Sequence, residues 1–285
     1  MSGTGELLAC RELAIAAGHR PLLRGLDLGI RAGDCLGILG CNGTGKTTLL
    51  HTLAGLHAPS AGHLSLQGRA LAEWTGRALA RQVGIVFQHH TDEMPATVME
   101  TVLLGRFPHS RAWQWENRHD REVAEQALQQ MGLLNLAQRQ VHSLSGGERQ
   151  RLALAALLAQ APRVMLLDEP GNHLDIGFQL SSLSLLRDRT HTDGSALLFA
   201  THDINLAARY CERILLLKGD GNFLLGTAAE VLTEEHLHDA YGCRVRALPL
   251  PDDIAEPGTG YFYVPDRAAI GSGPTPPTGA FTGKA

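Results

Sequence analysis

Gly40-Cys41-Asn42-Gly43-Thr44-Gly45-Lys46-Thr47-Thr48 sits between two apolar patterns of different period. Before it, Cys35 to Leu39 reads as a short buried strand; after it, Leu49, Leu50, Leu53 and Ala54 recur with helical spacing. Strand, glycine loop and helix is the setting that a phosphate-binding P-loop requires. Glycines at 40, 43 and 45 let backbone N–H groups approach phosphate oxygens where a Cβ would obstruct them, at a helix N-terminus that favours negative charge. Lys46 is expected to reach the β- and γ-phosphates and the Thr47 hydroxyl to ligate magnesium, with Cys41, Asn42, Thr44 and Thr48 completing the cradle. A merely flexible loop would leave the flanking strand and helix unexplained, so the segment reads as a site for a nucleoside triphosphate with magnesium.

Working outward, Val164-Met165-Leu166-Leu167 and Ala196-Leu197-Leu198-Phe199-Ala200 are short apolar runs suited to strands buried on both faces. The first ends in Asp168-Glu169, two carboxylates at the strand edge where open α/β folds bind ligands. Asp168 suits the magnesium shell, and Glu169 the task of polarising an attacking water. The run Val83 to Phe87 ends at Gln88 and gives way to a stretch with no convincing strand up to about Val141. There Val123, Ala127, Leu128 and Met131 share one helical face closed by Gly132, which points to a helical insertion. Arg213 to Lys218 and Phe223 to Leu225 flank Gly219-Asp220-Gly221-Asn222, a hairpin signal. Strands separated by helices imply a mostly parallel α/β core. Beyond Pro251 the composition shifts to Pro, Gly and Thr, apart from a candidate strand at Tyr261 to Val264; from about Gly271 to Ala285 disorder is expected.

Leu144-Ser145-Gly146-Gly147-Glu148 supports two readings. Ser145 followed three residues later by Glu148 is a capping box for the helix containing Leu152 to Leu158. Two adjacent glycines cost about 1 kcal/mol each in a helical turn relative to alanine. They make sense if a phosphate approaches this helix N-terminus closely. Spacing alone does not choose between the two.

The chain of 285 residues, 44% hydrophobic, has ample material for a core, and its net charge of -4 argues against a large nucleic-acid footprint. Its five cysteines are scattered without a CxxC pair, which suggests neither a disulfide framework nor a zinc site and fits a reducing cytosol. Glu6, Arg11 and Glu12 interrupt any apolar leader, and no apolar run approaches the roughly 20 residues of a membrane span.

In order along the chain, the P-loop, Gln88, Leu144 to Glu148, Asp168-Glu169, Asn172-His173-Leu174-Asp175 and His202 resemble the motifs of an ATP-binding cassette (ABC) ATPase, over roughly Leu7 to Val245. The resemblance implies an α/β P-loop NTPase fold whose mostly parallel core carries an antiparallel β subdomain and a helical insertion. It implies an ABC ATP-binding domain over 1–250, with the insertion at about 89–160, and a C-terminal extension over 251–285. It implies ATP and Mg2+ as ligands and a head-to-tail homodimer, in which Ser145, Gly146 and Gly147 bind the γ-phosphate of ATP held by the opposite copy. Gln88 resembles the glutamine that touches magnesium, His202 the histidine that contacts the γ-phosphate, and Asp175 the aspartate that bridges the two sites. Three positions depart from the pattern: Ala17 where an aromatic usually stacks on adenine, Cys41 in place of proline, and Gly171 in place of threonine.

Within that family, Val102-Leu103-Leu104-Gly105-Arg106-Phe107-Pro108-His109 resembles the import ATPases for iron-siderophore, haem and cobalamin chelates. Such ATPases dock beneath two transmembrane permease subunits at the cytoplasmic face of the inner membrane, served by a periplasmic substrate-binding protein. Residues near His89 to His109 would line the docking groove, and a solvated helix end accounts for Arg106 and His109 equally well. ATPases of other ABC transporters share these motifs. A soluble cassette protein acting on ribosomes or DNA would instead show paired cassettes, a coiled coil or zinc-binding cysteines, and a module that never hydrolyses would lack Glu169. Lys46→Ala should weaken ATP binding in equilibrium titration; unchanged affinity would contradict the P-loop reading.

Overall fold

Six apolar runs become adjacent strands because each is flanked by loop or helix signals and can be buried on both faces. The computed structural model describes residues 5–88, 95–110, 117–250 and 260–266, and the expected disorder beyond 271 lies outside them. Along the chain run β1 (Glu6–Ala17), β2 (Arg20–Arg31), β3 (Cys35–Leu39), α1 (Lys46–Leu53), β4 (Ala61–Leu66), β5 (Arg69–Ala70), α2 (Gly76–Ala80) and β6 (Val83–Val86). The insertion between β6 and β7 (Val164–Asp168) holds α3 (Val98–Leu104), α4 (Arg118–Gln130) and α5 (Gly146–Gln160). Then follow α6 (Ile176–Asp193), β8 (Ala196–Ala200), α7 (Ile204–Tyr210), β9 (Arg213–Leu217) and β10 (Phe223–Thr227). The last elements are α8 (Ala228–Val231), α9 (Glu234–Tyr241), β11 (Val245–Pro249) and β12 (Tyr261–Pro265).

The main sheet has the order β10-β9-β3-β8-β7-β6, parallel throughout except for the antiparallel edge strand β10. Side chains alternate between its two buried faces. Leu36, Ile38, Leu166, Leu198 and Leu215 pack with Leu49 and Leu50 of α1 and with Leu8, Leu13, Leu26 and Ile30 of the antiparallel sheet β2-β1-β4-β5. Their sequence neighbours Cys35, Leu39, Met165, Leu167, Leu197, Phe199, Ile214 and Leu216 face the other way, onto α4 to α7. A period of two applied to two apolar faces yields unbroken hydrophobic runs, the pattern read from the sequence. The run from Val83 is one residue shorter as a strand, since Phe87 turns outward and its ring meets His51 edge-on at 5.3 Å.

The insertion forms around Val98, Val102, Ala124, Leu128, Leu152 and Ala155, all buried. Its helices start where the residues can cap them: Thr97 with Glu100, and Ser145 with Glu148, form complete capping boxes. Arg106 is neither a docking residue nor solvated; it is 9% exposed, pairs with Asp120 at 2.9 Å and donates to the Ala159 carbonyl at 2.7 Å. His109 Nε2 meets the Gln160 carbonyl at 2.8 Å, while Arg81 holds the Pro108 carbonyl at 2.6 Å. The Gly-Arg-x-Pro-His run is therefore a clasp joining α2 and α4 to the end of α5, and only Phe107 within it and Leu104 just before it are largely exposed. Of the expected groove, residues 89–94 lie outside the described ones. Arg106→Ala would strand the buried Asp120 carboxylate and should cost about 3–5 kcal/mol in urea unfolding; a wild-type midpoint would show that the clasp contributes nothing.

Candidate nucleotide site

Parallel pairing sets Ile38, Asp168 and Ala200 level across three neighbouring strands. The three loops that follow β3, β7 and β8 therefore leave the same sheet edge side by side. They carry the P-loop, Asp168-Glu169 and His202.

The P-loop's first glycine is dictated by its surroundings. Gly40 has φ of 146°, and a Cβ there would lie 2.7 Å from the Leu217 carbonyl and 2.8 Å from Thr44 Oγ1. Thr44 in turn donates to the Cys41 carbonyl at 2.9 Å, closing the loop on itself. Lys46 opens α1 but is only 7% exposed, and its ammonium donates to the carbonyls of Gly40 at 2.7 Å and Cys41 at 3.3 Å. Burial lowers its pKa, opposed by the charges of Glu169 and Asp168. Thr47 and Asn42 are exposed on the loop's outer face.

Asp168 is 1% exposed, and both of its carboxylate oxygens lack a hydrogen-bond partner among the described residues. Leaving a buried polar atom unpaired is costly, so such an atom calls for an explanation. Two orphaned carboxylate oxygens beside Lys46 and the exposed Thr47 hydroxyl are the donors a hard, oxygen-seeking cation prefers, so the residues present fit magnesium. Glu169 adopts the left-handed region, with φ of 50°, while its amide donates to the Ala200 carbonyl at 2.9 Å. A non-glycine residue there costs on the order of 1–3 kcal/mol. Its carboxylate is bracketed: Oε1 lies 4.0 Å from Lys46 Nζ, and Oε2 lies 2.9 Å from His202 Nδ1. Glu169 is buried whereas His202 is mostly exposed, so the pair presents an imidazole to any ligand on the loop.

The remaining candidates stand apart from this cluster. Gln88 is exposed beyond β6 and does not bond Asp168. Ser145 caps α5, and the two glycines behind it face the loop at His173. A Cβ on Gly147 would come within 2.8 Å of the His173 carbonyl, a constraint inside the chain that the sequence did not reveal. At Gly146 the nearest contact would be an ordinary 3.5 Å, so that position keeps open space at a helix N-terminus. Asp175 caps α6 through the Phe178 amide at 2.8 Å. Ala17 is exposed at the end of β1, where the turn is tied by Arg20 to the Gly219 carbonyl at 3.0 Å.

With this geometry in hand, a family model described as ABC transporter matches residues 23–172. The hemin import ATP-binding protein HmuV of Gloeobacter violaceus is 38% identical over 252 residues, covering 86% of this chain and 90% of that protein. The ferric enterobactin transport ATP-binding protein FepC of Escherichia coli is 35% identical over 244 residues, covering 86% and 89%. Among solved structures, an inward-facing putative metal-chelate type ABC transporter gives a TM-score of 0.76 at 30% identity, over 91% of this chain and 97% of that one. The dimeric post-hydrolysis state of the ATP-binding cassette MJ0796, bound to ADP and Pi, gives 0.69 at 27% identity, covering 78% and 98%.

The bracketed carboxylate makes a sharp test. Glu169→Gln keeps the size and the burial but cannot accept a proton, so steady-state ATP turnover should fall by about 10²- to 10⁴-fold while ATP affinity persists. Turnover like that of the wild type would remove Glu169 from the chemistry.

Proposed function

The chain belongs to the ABC transporter family, and we propose that it is the ATP-hydrolysing subunit of an importer for an iron chelate of the haem or siderophore type. The observation that carries the cargo class is likeness over most of the chain to hemin and ferric enterobactin import ATPases, together with the fold shared with a metal-chelate transporter. ATP hydrolysis itself is the activity of the family and of this chain.

In the proposed mechanism the P-loop amides and Lys46 take the β- and γ-phosphates, and Lys46 leaves the Gly40 and Cys41 carbonyls to do so. Asp168 and Thr47, with Gln88, would hold Mg2+, which would neutralise charge on the phosphate oxygens. Glu169 accepts the proton of the attacking water. Its geometry supports this: one oxygen is held by His202, and Lys46 is near the other. Once Lys46 turns to the phosphates, that second oxygen is free to take a proton. His202 orients Glu169 and meets the γ-phosphate from the exposed side.

The γ-phosphate is completed by Ser145, Gly146 and Gly147 of a second copy, with Asp175 at the bridge between the two sites. Support comes from the capped α5 N-terminus with space at Gly146, and from the dimeric cassette of like fold. Among the described residues no helix is long and apolar enough to cross a membrane. The translocation path in this proposal belongs to two permease subunits, with the cassette on their cytoplasmic face and a periplasmic binding protein delivering the chelate.

Uptake of iron-55 supplied as haem and as a catecholate siderophore, compared in strains with and without the gene, tests the cargo. Loss of one uptake, restored by the wild-type gene and not by Glu169→Gln, is expected. Undiminished uptake of both would reject this cargo class while leaving the ATPase intact.

A further inference from the structure

The strand at Tyr261 to Val264, expected from the sequence, has no part in the chemistry above, yet it is tied to the loop that carries His202. β12 pairs antiparallel with β11, and Tyr263, only 4% exposed, belongs to the same core as Leu206 and Ala207 of α7 and Leu237 of α9. One side chain meets both of its backbone polar groups. Asn205 Oδ1 accepts from the Tyr263 amide at 2.7 Å, and Asn205 Nδ2 donates to the Tyr263 carbonyl at 3.0 Å. A carboxamide carries an acceptor and a donor side by side, so it can stand in for one residue of a neighbouring strand. The other strand of the hairpin is fixed in turn, since the Ala247 amide donates to Glu234 Oε1 of α9 at 3.1 Å.

Asn205 stands three residues after His202. The His202 side chain is 65% exposed, so packing does little to hold it, and its place follows from the backbone on either side. Before it, the Thr201 amide donates to the Ile38 carbonyl at 3.0 Å. After it, Asp203 caps α7 by accepting from the amides of Asn205 at 2.9 Å and Leu206 at 3.1 Å. α7 has seven residues, too few for a helix that is stable alone, so its position must be set from outside. We propose that Asn205 is a positioning residue for hydrolysis: by clamping the first turn of α7 to β12, it holds His202 where Nδ1 meets Glu169 Oε2 at 2.9 Å. The C-terminal hairpin thereby joins the hydrolytic machinery, acting through His202 and not on ATP directly. The inference rests on the reading of His202 as the group that orients Glu169 and is independent of the cargo.

Steady-state ATP turnover by the full chain, measured well below the melting temperature of every variant, tests this as a double-mutant cycle. Asn205→Ala takes the carboxamide from Tyr263 and should lower kcat by about 5- to 20-fold, while KM for ATP changes less than about two-fold. His202→Ala should lower kcat at least as much. In the His202→Ala background, Asn205→Ala should change kcat by less than about two-fold, because the residue it positions is gone. A clamp that only stabilises the fold would lower the melting temperature of Asn205→Ala and leave its kcat level, and that result would overturn the inference. Equal losses from Asn205→Ala with and without His202 would overturn it too. Should Asn205→Ala fail to fold, Asn205→Asp takes its place under the same criteria, since it can accept from the Tyr263 amide but its carboxylate cannot donate to the carbonyl. Wild-type turnover by His202→Ala would reject the reading of the Glu169–His202 pair and the inference with it. A loss in His202→Ala beside a level kcat in Asn205→Ala would reject the inference alone.

Discussion

The register of β3, β8 and β7 is the constraint on which the rest depends. Ile38 opposite Ala200, and Ala200 opposite Asp168, bring three loops to one level of a parallel sheet whose strands are buried on both faces. A slip of one residue would exchange the two faces of a strand and reverse which core its side chains enter. It would also move Asp168 off the edge it shares with the P-loop. The two hydrophobic cores therefore fix the chemistry as firmly as they fix the fold.

Inside that frame three charged groups converge at the P-loop. Lys46 rests on carbonyls, Asp168 has no hydrogen-bond partner among the described residues, and Glu169 is held in an uncommon backbone conformation between a cation and an imidazole. Each of these is an unfavourable local term in a protein whose total stability is only about 5–15 kcal/mol. Three such features converging on one loop mark where binding energy is to be gained.

What could be read from the sequence was what is local. The P-loop, the strand ending in Asp168-Glu169 and the hairpin around Gly219 to Asn222 each carry their signal within a dozen residues, and the elements formed where those signals lie. The long strands β1 and β2 were less legible from pattern alone. Register shifts between Cys10 and Leu13, with Glu12 left-handed, break the alternation that would have announced them. Gly147 and Arg106 were misread for a different reason. Their neighbours are the His173 carbonyl and Asp120 with the end of α5, contacts made by chain reversal that no spacing reports.

In the proposed dimer each chain supplies half of two sites, a P-loop with its carboxylates to one and the capped glycines of α5 to the other. Light scattering of Glu169→Gln with and without Mg-ATP measures this directly. The account predicts a molar mass near that of the single chain without nucleotide and about twice that mass at saturating ATP. A mass that stays at one chain while ATP is demonstrably bound would contradict it.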